Sequence, residues 1–181
     1  MRKINTINDL EFECGLLEKC NHKTKSKISV SQLLNSVAEG IESSITGSSD
    51  KTDSFISKII KNFKLKKFSS QASWDPKWKI HGVPTEFSEG DWKDSLVRLK
   101  TSITAFKLHS GPFANHPDFG QLDKPSWEIV HLKVADYLLG QIEIEGREKF
   151  QQPSAANPKN KKYYKNKKFH HKKKKFKGEK H

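Results

Sequence analysis

Only two cysteines occur in 181 residues, too few for a disulfide framework in a chain that can form a core. Cys14 and Cys20 are six apart, which on a helix sets them about 120° apart around the axis, too divergent to bridge. Long apolar runs are also missing. None approaches the roughly 18–20 residues of a membrane span, and the opening Met1-Arg2-Lys3-Ile4-Asn5 lacks a signal peptide's apolar stretch. No integral membrane segment is expected, and the cytoplasm is the expected compartment. Gly-x-Ser-x-Gly, Walker and Gly-x-Gly-x-x-Gly patterns are absent as well. No pair of carboxylates stands out as acid and base, so catalysis has no positive sign and no cofactor is expected.

The sharpest deficit is local. Residues 151–181 contain no Val, Leu, Ile, Met, Cys, Trp or Arg, yet hold 12 lysines against one acid, Glu179, for a net +11. Such a segment cannot bury enough apolar surface to offset its ordering entropy, so a disordered polycationic tail is expected. Residues 1–150 hold 22 bases and 20 acids, a net of only +2. They make one domain, able to bury roughly 68–70% of its unfolded surface. The overall +13 is thus a near-balanced body joined to a strongly basic tail.

Within the body, four stretches have helical periodicity. One runs from about Asn8 to Cys20 with Leu10, Phe12, Leu16 and Leu17 as its apolar members. A second opens on Ser29-Val30-Ser31-Gln32, a capping box, and runs to Gly47 with the stripe Leu33, Leu34, Val37, Ala38, Ile41 and Ile45. A third follows Ser88-Glu89-Gly90-Asp91 and carries Trp92, Leu96, Leu99, Ile103 and Phe106 before Gly111-Pro112. The fourth opens at Asp123-Lys124-Pro125 and carries Trp127, Val130, Val134, Leu138 and Ile142. The last three, of about 18 residues, would each span roughly 27 Å. Equal lengths and single apolar faces predict an all-α four-helix bundle, with no competing strand run.

Two segments lie outside those helices. Residues 53–68 carry Lys58, Lys61, Lys64, Lys66 and Lys67 against one acid, with Phe55, Ile56, Ile59, Ile60 and Phe63 on one face. This predicts a basic amphipathic helix. Residues 69–88, with Trp74-Asp75-Pro76-Lys77-Trp78, predict a long loop over the surface or a binding mouth.

The segment His116-Pro117-Asp118-Phe119-Gly120-Gln121-Leu122, then Trp127, then Asp136-Tyr137-Leu138-Leu139-Gly140-Gln141-Ile142, resembles the DinB-like superfamily. The match is to an uncharacterised bacterial branch with a His-Pro-x-Phe-Gly-x-Leu loop. Ser29-Val30-Ser31-Gln32-Leu33-Leu34-Asn35 resembles that branch's second-helix opening, and the likeness covers about residues 8–145. It implies a DinB-like four-helix bundle, whose better-known members bind a divalent metal through three histidines. One lies on the second helix and two lie on the last helix at i and i+4, where both imidazoles reach one ion. Here those positions fall at Asn35, Val134 and Leu138. Val and Leu cannot ligate, and an Asn amide is a poor partner for zinc or nickel. The resemblance therefore implies a bundle without the family metal site. The alternative is a DinB-like enzyme of transferase or hydrolase type with a shifted site, its tail serving localisation.

Other constellations are weaker. His81, His109, His116 and His131 remain in the body, and none is spaced i, i+4 with another histidine. His109 is placed to cap the third helix, and His116 to hydrogen-bond its own turn. Cys20-Asn21-His22 has the form of an activated thiol, though a thiol on an apolar helix more often packs.

The tail carries the positive signal. Lys159, Lys161, Lys162, Lys165, Lys167, Lys168, Lys172, Lys173, Lys174, Lys175 and Lys177 are suited to neutralising phosphates without sequence preference. Tyr163, Tyr164, Phe169 and Phe176 among them are suited to stacking on unpaired bases. The lack of arginine there argues against bidentate guanine reading. RNA, ribosomal RNA being an abundant example, or another polyanion is the expected partner. Three other readings stay open: a solvated appendage, an anionic membrane surface engaged together with the Lys58–Lys67 helix, and weak metal capture by His170, His171 and His181. RNA is favoured over membrane because the tail lacks Leu, Ile or Trp anchors.

Overall fold

The computed structural model describes residues 3–47, 55–71 and 90–150, with side chains in the second stretch from Lys61 onward. The chain is mostly helical, and side-chain caps start the helices where the sequence has them. Thr6 and Asp9 form a capping box at the head of α1, Ile7–Lys19, with bonds of 3.1 and 2.9 Å. Ser29 and Gln32 do the same for α2, Val30–Thr46, at 3.2 and 2.8 Å. Each box satisfies two amides that the first turn leaves without a helical partner. The next helix, α3, spans Phe55–Ser70. Asp91 caps α4, Trp92–Leu108, and Asp123 caps α5, Lys124–Leu139, which has Pro125 in its first turn.

Packing follows the apolar stripes. α2 lies most extensively on α4 and also on α5, while α1 contacts both α4 and α5. Leu10 and Leu17 of α1, Leu33, Leu34 and Ile41 of α2, Leu99, Ile103 and Phe106 of α4 and Leu139 of α5 are all buried to 1% exposure or less. Each contributes about 1.5–3 kcal/mol of burial against its own ordering cost.

Two sequence expectations change, the end of the fourth helix and the absence of strands. The fourth helix stops at Leu139, and Ile142 belongs instead to a strand, Ile142–Ile144 (β4). That strand pairs antiparallel with β1, His22–Thr24, in the register His22↔Ile144 and Thr24↔Ile142. Ile142 and Ile144 are buried and Glu143 is exposed, a period of two too short to detect by patterning. A second pair, β2 (Asn115–His116) with β3 (Gly120–Gln121), closes the His-Pro-Asp-Phe-Gly turn, where Gly120 has φ 75°. That left-handed conformation suits glycine.

α3 lies where the sequence predicts a basic helix, and Phe63 on it is 71% exposed. Phe68 is buried at 1%, and Leu65 packs partly against the core. Of the expected loop, Ser69 and Ser70 complete α3, while residues 72–89 lie outside the described residues. Among the described residues no helix is long and apolar enough to cross a membrane.

A buried ion pair closes the body. Glu13 of α1, at 0% exposure, receives both guanidinium arms of Arg147 from the short 3-10 turn Arg147–Lys149. The bidentate geometry keeps a carboxylate buried that would otherwise be costly.

Candidate functional site

The three positions where the resemblance places metal ligands are put to other uses. Val134 and Leu138 are buried core members at 7% and 5% exposure. Asn35 is half-buried and turns to α4: its Nδ2 donates to Ser95 Oγ at 3.0 Å, and its Oδ1 accepts from Arg98 Nη1 at 3.3 Å. Ser95 Oγ also lies 2.7 Å from Ser31 Oγ. Arg98 in turn grips Glu42 with Nε and Nη2 at 3.0 and 2.6 Å, and Ser102 Oγ donates to the same carboxylate at 2.6 Å. The Arg98 hydrogen bond, aided by Ser102, holds the Glu42 carboxyl below its ordinary value against the opposing effect of burial.

This network clasps α2 to α4. It does not fit a divalent cation: Val134 and Leu138 bring no donor atom, and Asn35 already faces a fixed positive charge. A second cation there would be repelled, since a guanidinium does not lose its proton. Among the described residues no group of three His, Cys, Asp or Glu side chains is arranged to hold a metal ion.

The body's histidines are built into packing. Ser44 Oγ donates to Ile41 O at 2.6 Å, so its contact with His131 Nε2 at 3.0 Å has the ring nitrogen as donor. His131 is buried, and loss of hydration, aided by His116, lowers its pKa to about 3. It is a neutral ring tying α5 to α2. His116 Nδ1 accepts from the Asp118 and Phe119 amides at 3.1 and 3.3 Å, which shapes the turn.

These rings belong to a continuous aromatic run. Phe68 meets Phe119 at 5.1 Å, Phe119 stacks on His116 at 4.4 Å, and His116 lies 5.3 Å from Trp127. Trp127 stacks on His131 at 5.1 Å, and His131 meets Phe106 edge-on at 5.1 Å. Phe106 then leads to Phe113 at 5.5 Å and on to His109 at 4.7 Å. The separations are those of favourable aromatic pairs. The loop motif that carried the family resemblance therefore works as a wedge joining α3 and α5. Within it Trp127 Nε1 is buried without a hydrogen-bond partner among the described residues.

A shallow cleft of about 320 Å³ lies where α4 ends and α5 begins, lined by residues 109–113 and 121–124. Its polar groups already have structural tasks. Lys124 Nζ donates to the carbonyls of Lys107 and His109 at 2.8 and 2.9 Å, closing the end of α4. His109, expected to cap those carbonyls, turns its ring to Pro112 O at 3.1 Å instead. Asp123 caps α5, and hydrogen bonds from Ser126 keep its carboxyl below the ordinary value.

Near Cys20, His22 Nδ1 lies 3.0 Å from the Cys20 carbonyl, and its ring meets Trp92 edge-on at 4.5 Å. The contact is to the backbone, so the geometry activates no thiol. His81 and every tail position from Lys159 to Lys177 lie outside the described residues. Patterning missed Arg98 and Lys133, whose partners sit on other helices. Lys133 Nζ donates to the carbonyls of Phe68, Ser69 and Gln71 at the end of α3 and stands 5.0 Å over the Phe68 ring. Burial lowers its pKa.

A family model described as "Protein of unknown function (DUF1569)" matches residues 5–143. No curated protein matches the chain, and no solved structure does.

Proposed function

The chain belongs to that family of unknown function, and we propose that it is a noncatalytic DinB-like four-helix bundle whose lysine-rich tail binds RNA. In this reading α1, α2, α4 and α5 form the bundle. The observation that carries the noncatalytic part is the employment of Asn35, Val134 and Leu138. One is clasped to a guanidinium and two are core, leaving no set of donors at these three positions to hold an ion. The arm's chemistry rests on composition: 12 lysines in 31 residues, with four aromatic rings between them. Lysines release counterions from phosphates, the rings stack on unpaired bases, and neither reads sequence. Structured RNA with exposed single strands fits that recognition, and ribosomal RNA is an abundant source of it.

The test compares full-length protein with a chain ending at Phe150, measuring single-stranded RNA binding by fluorescence anisotropy across a salt series. An arm neutralising about six phosphates loses on the order of 10³-fold in affinity between 50 and 200 mM salt. The shortened chain should bind far more weakly, and unrelated RNA sequences should bind alike. Equal affinity of the two chains, or affinity flat with salt, would remove the tail from the interaction.

A further inference from the structure

We propose that α3 is a docking helix for anionic phospholipid membranes, placing Phe63 and the lysines around it on the headgroup region. The inference stands on α3 alone and does not depend on what the tail binds.

The helix Phe55–Ser70 contains five lysines and no acid. Its described half shows which side is committed to the body. Phe68 is buried, Leu65 packs partly against the core, and Lys133 closes the last turn from α5. At 100° per residue, Phe68 and Leu65 lie about 140° and 160° from Phe63. Phe63 therefore points away from the core, in keeping with its 71% exposure. Lys66 and Lys67, both exposed, flank it at about 60° and 40° on either side, with exposed Lys64 beyond. An anchored helix thus presents a large apolar side chain inside a ring of positive charge.

That pairing of chemistries selects the partner. Lysines near a membrane surface are attracted by anionic headgroups, and an aromatic ring beside them enters the acyl boundary. The sequence leading to Phe63 holds Phe55, Ile56, Ile59 and Ile60. Three β-branched aliphatic residues suit hydrocarbon and offer nothing for a base to stack on. A bilayer therefore accounts for this helix more completely than RNA does. Because the end of α3 is held by Phe68 and Lys133, the surface around Phe63 is ordered before contact, which lowers the cost of docking.

The experiment is cosedimentation of the full chain with phosphatidylcholine vesicles, with and without phosphatidylglycerol, at moderate salt. Binding is expected only with phosphatidylglycerol present. Phe63→Asp should weaken it about tenfold or more, and the pair Lys66→Glu, Lys67→Glu should do so by a similar factor. Phe63 is exposed, so the thermal transition of the first variant should match the parent; if it shifts, the lysine pair carries the test. Unchanged vesicle binding in the variants would overturn the proposal and assign any binding to the tail. Loss of single-stranded RNA oligonucleotide binding in Phe63→Asp, with vesicle binding retained, would overturn it too and make α3 an RNA face.

Discussion

An imidazole shut away from water stays neutral, and His131 shows the consequence for stability. In the fold it takes up a proton only near pH 3, whereas the unfolded chain does so near 6.5. Between those values the unfolded state holds more protons, so stability falls as pH drops through the window. The slope from this residue alone is about 1.4 kcal/mol per pH unit. His131→Phe removes that slope while keeping the ring against Trp127 and Phe106. Urea midpoints for both proteins at about pH 7 and about pH 5 check it. The parent should lose markedly more stability on acidification than the variant, and parallel losses would contradict the account. At the same scale, Val134 and Leu138 could be read as non-ligands from identity alone, because neither carries a donor atom. Asn35 could not be read so fully. An amide accepts or donates, and only the neighbouring Arg98 guanidinium decides that this one serves as a brace.

Among the elements, α3 best shows what local pattern leaves open. Its existence follows from spacing and composition, yet the side facing the body does not. Spacing alone does not say whether Phe63 or Phe68 turns to the body. Phe68 does, because Phe119 and Lys133 are there to receive it. Lys133 matters twice, as a cation at the carbonyl end of the helix and as a cover for the Phe68 ring. Lys133→Met should therefore loosen α3 selectively. Hydrogen exchange of amides 61–71 is expected to speed up about tenfold, with α2 and α4 unaffected. Uniform acceleration across the body would mean that the lysine supports the whole core rather than one helix. The strands β1 and β4 make the same point more strongly. Each has three residues, so neither has a detectable period, and their pairing joins the two ends of the body.

For the molecule as a whole, charge and chemistry are separated along the chain. The body is nearly neutral, and several of its described cations are paired or capping, as with Arg98, Lys124, Lys133 and Arg147. The tail holds almost all of the excess. If the body has no metal chemistry, the purified full chain should carry well under one equivalent of zinc, nickel or iron after dialysis, measured by elemental mass spectrometry. A stoichiometric metal would revive the enzyme reading and require a site among residues other than Asn35, Val134 and Leu138. By itself the sequence determined the helical segments, because caps and apolar stripes act within a few residues. It also determined the division of charge and the lack of a donor atom on Val134 and Leu138, which are matters of composition and identity. Only the tertiary structure decided the turning of Phe63 outward and Phe68 inward, the pairing of β1 with β4, and the roles of Arg98 and Lys133. Those outcomes depend on which distant residues meet, and no local pattern encodes a partner lying on another helix.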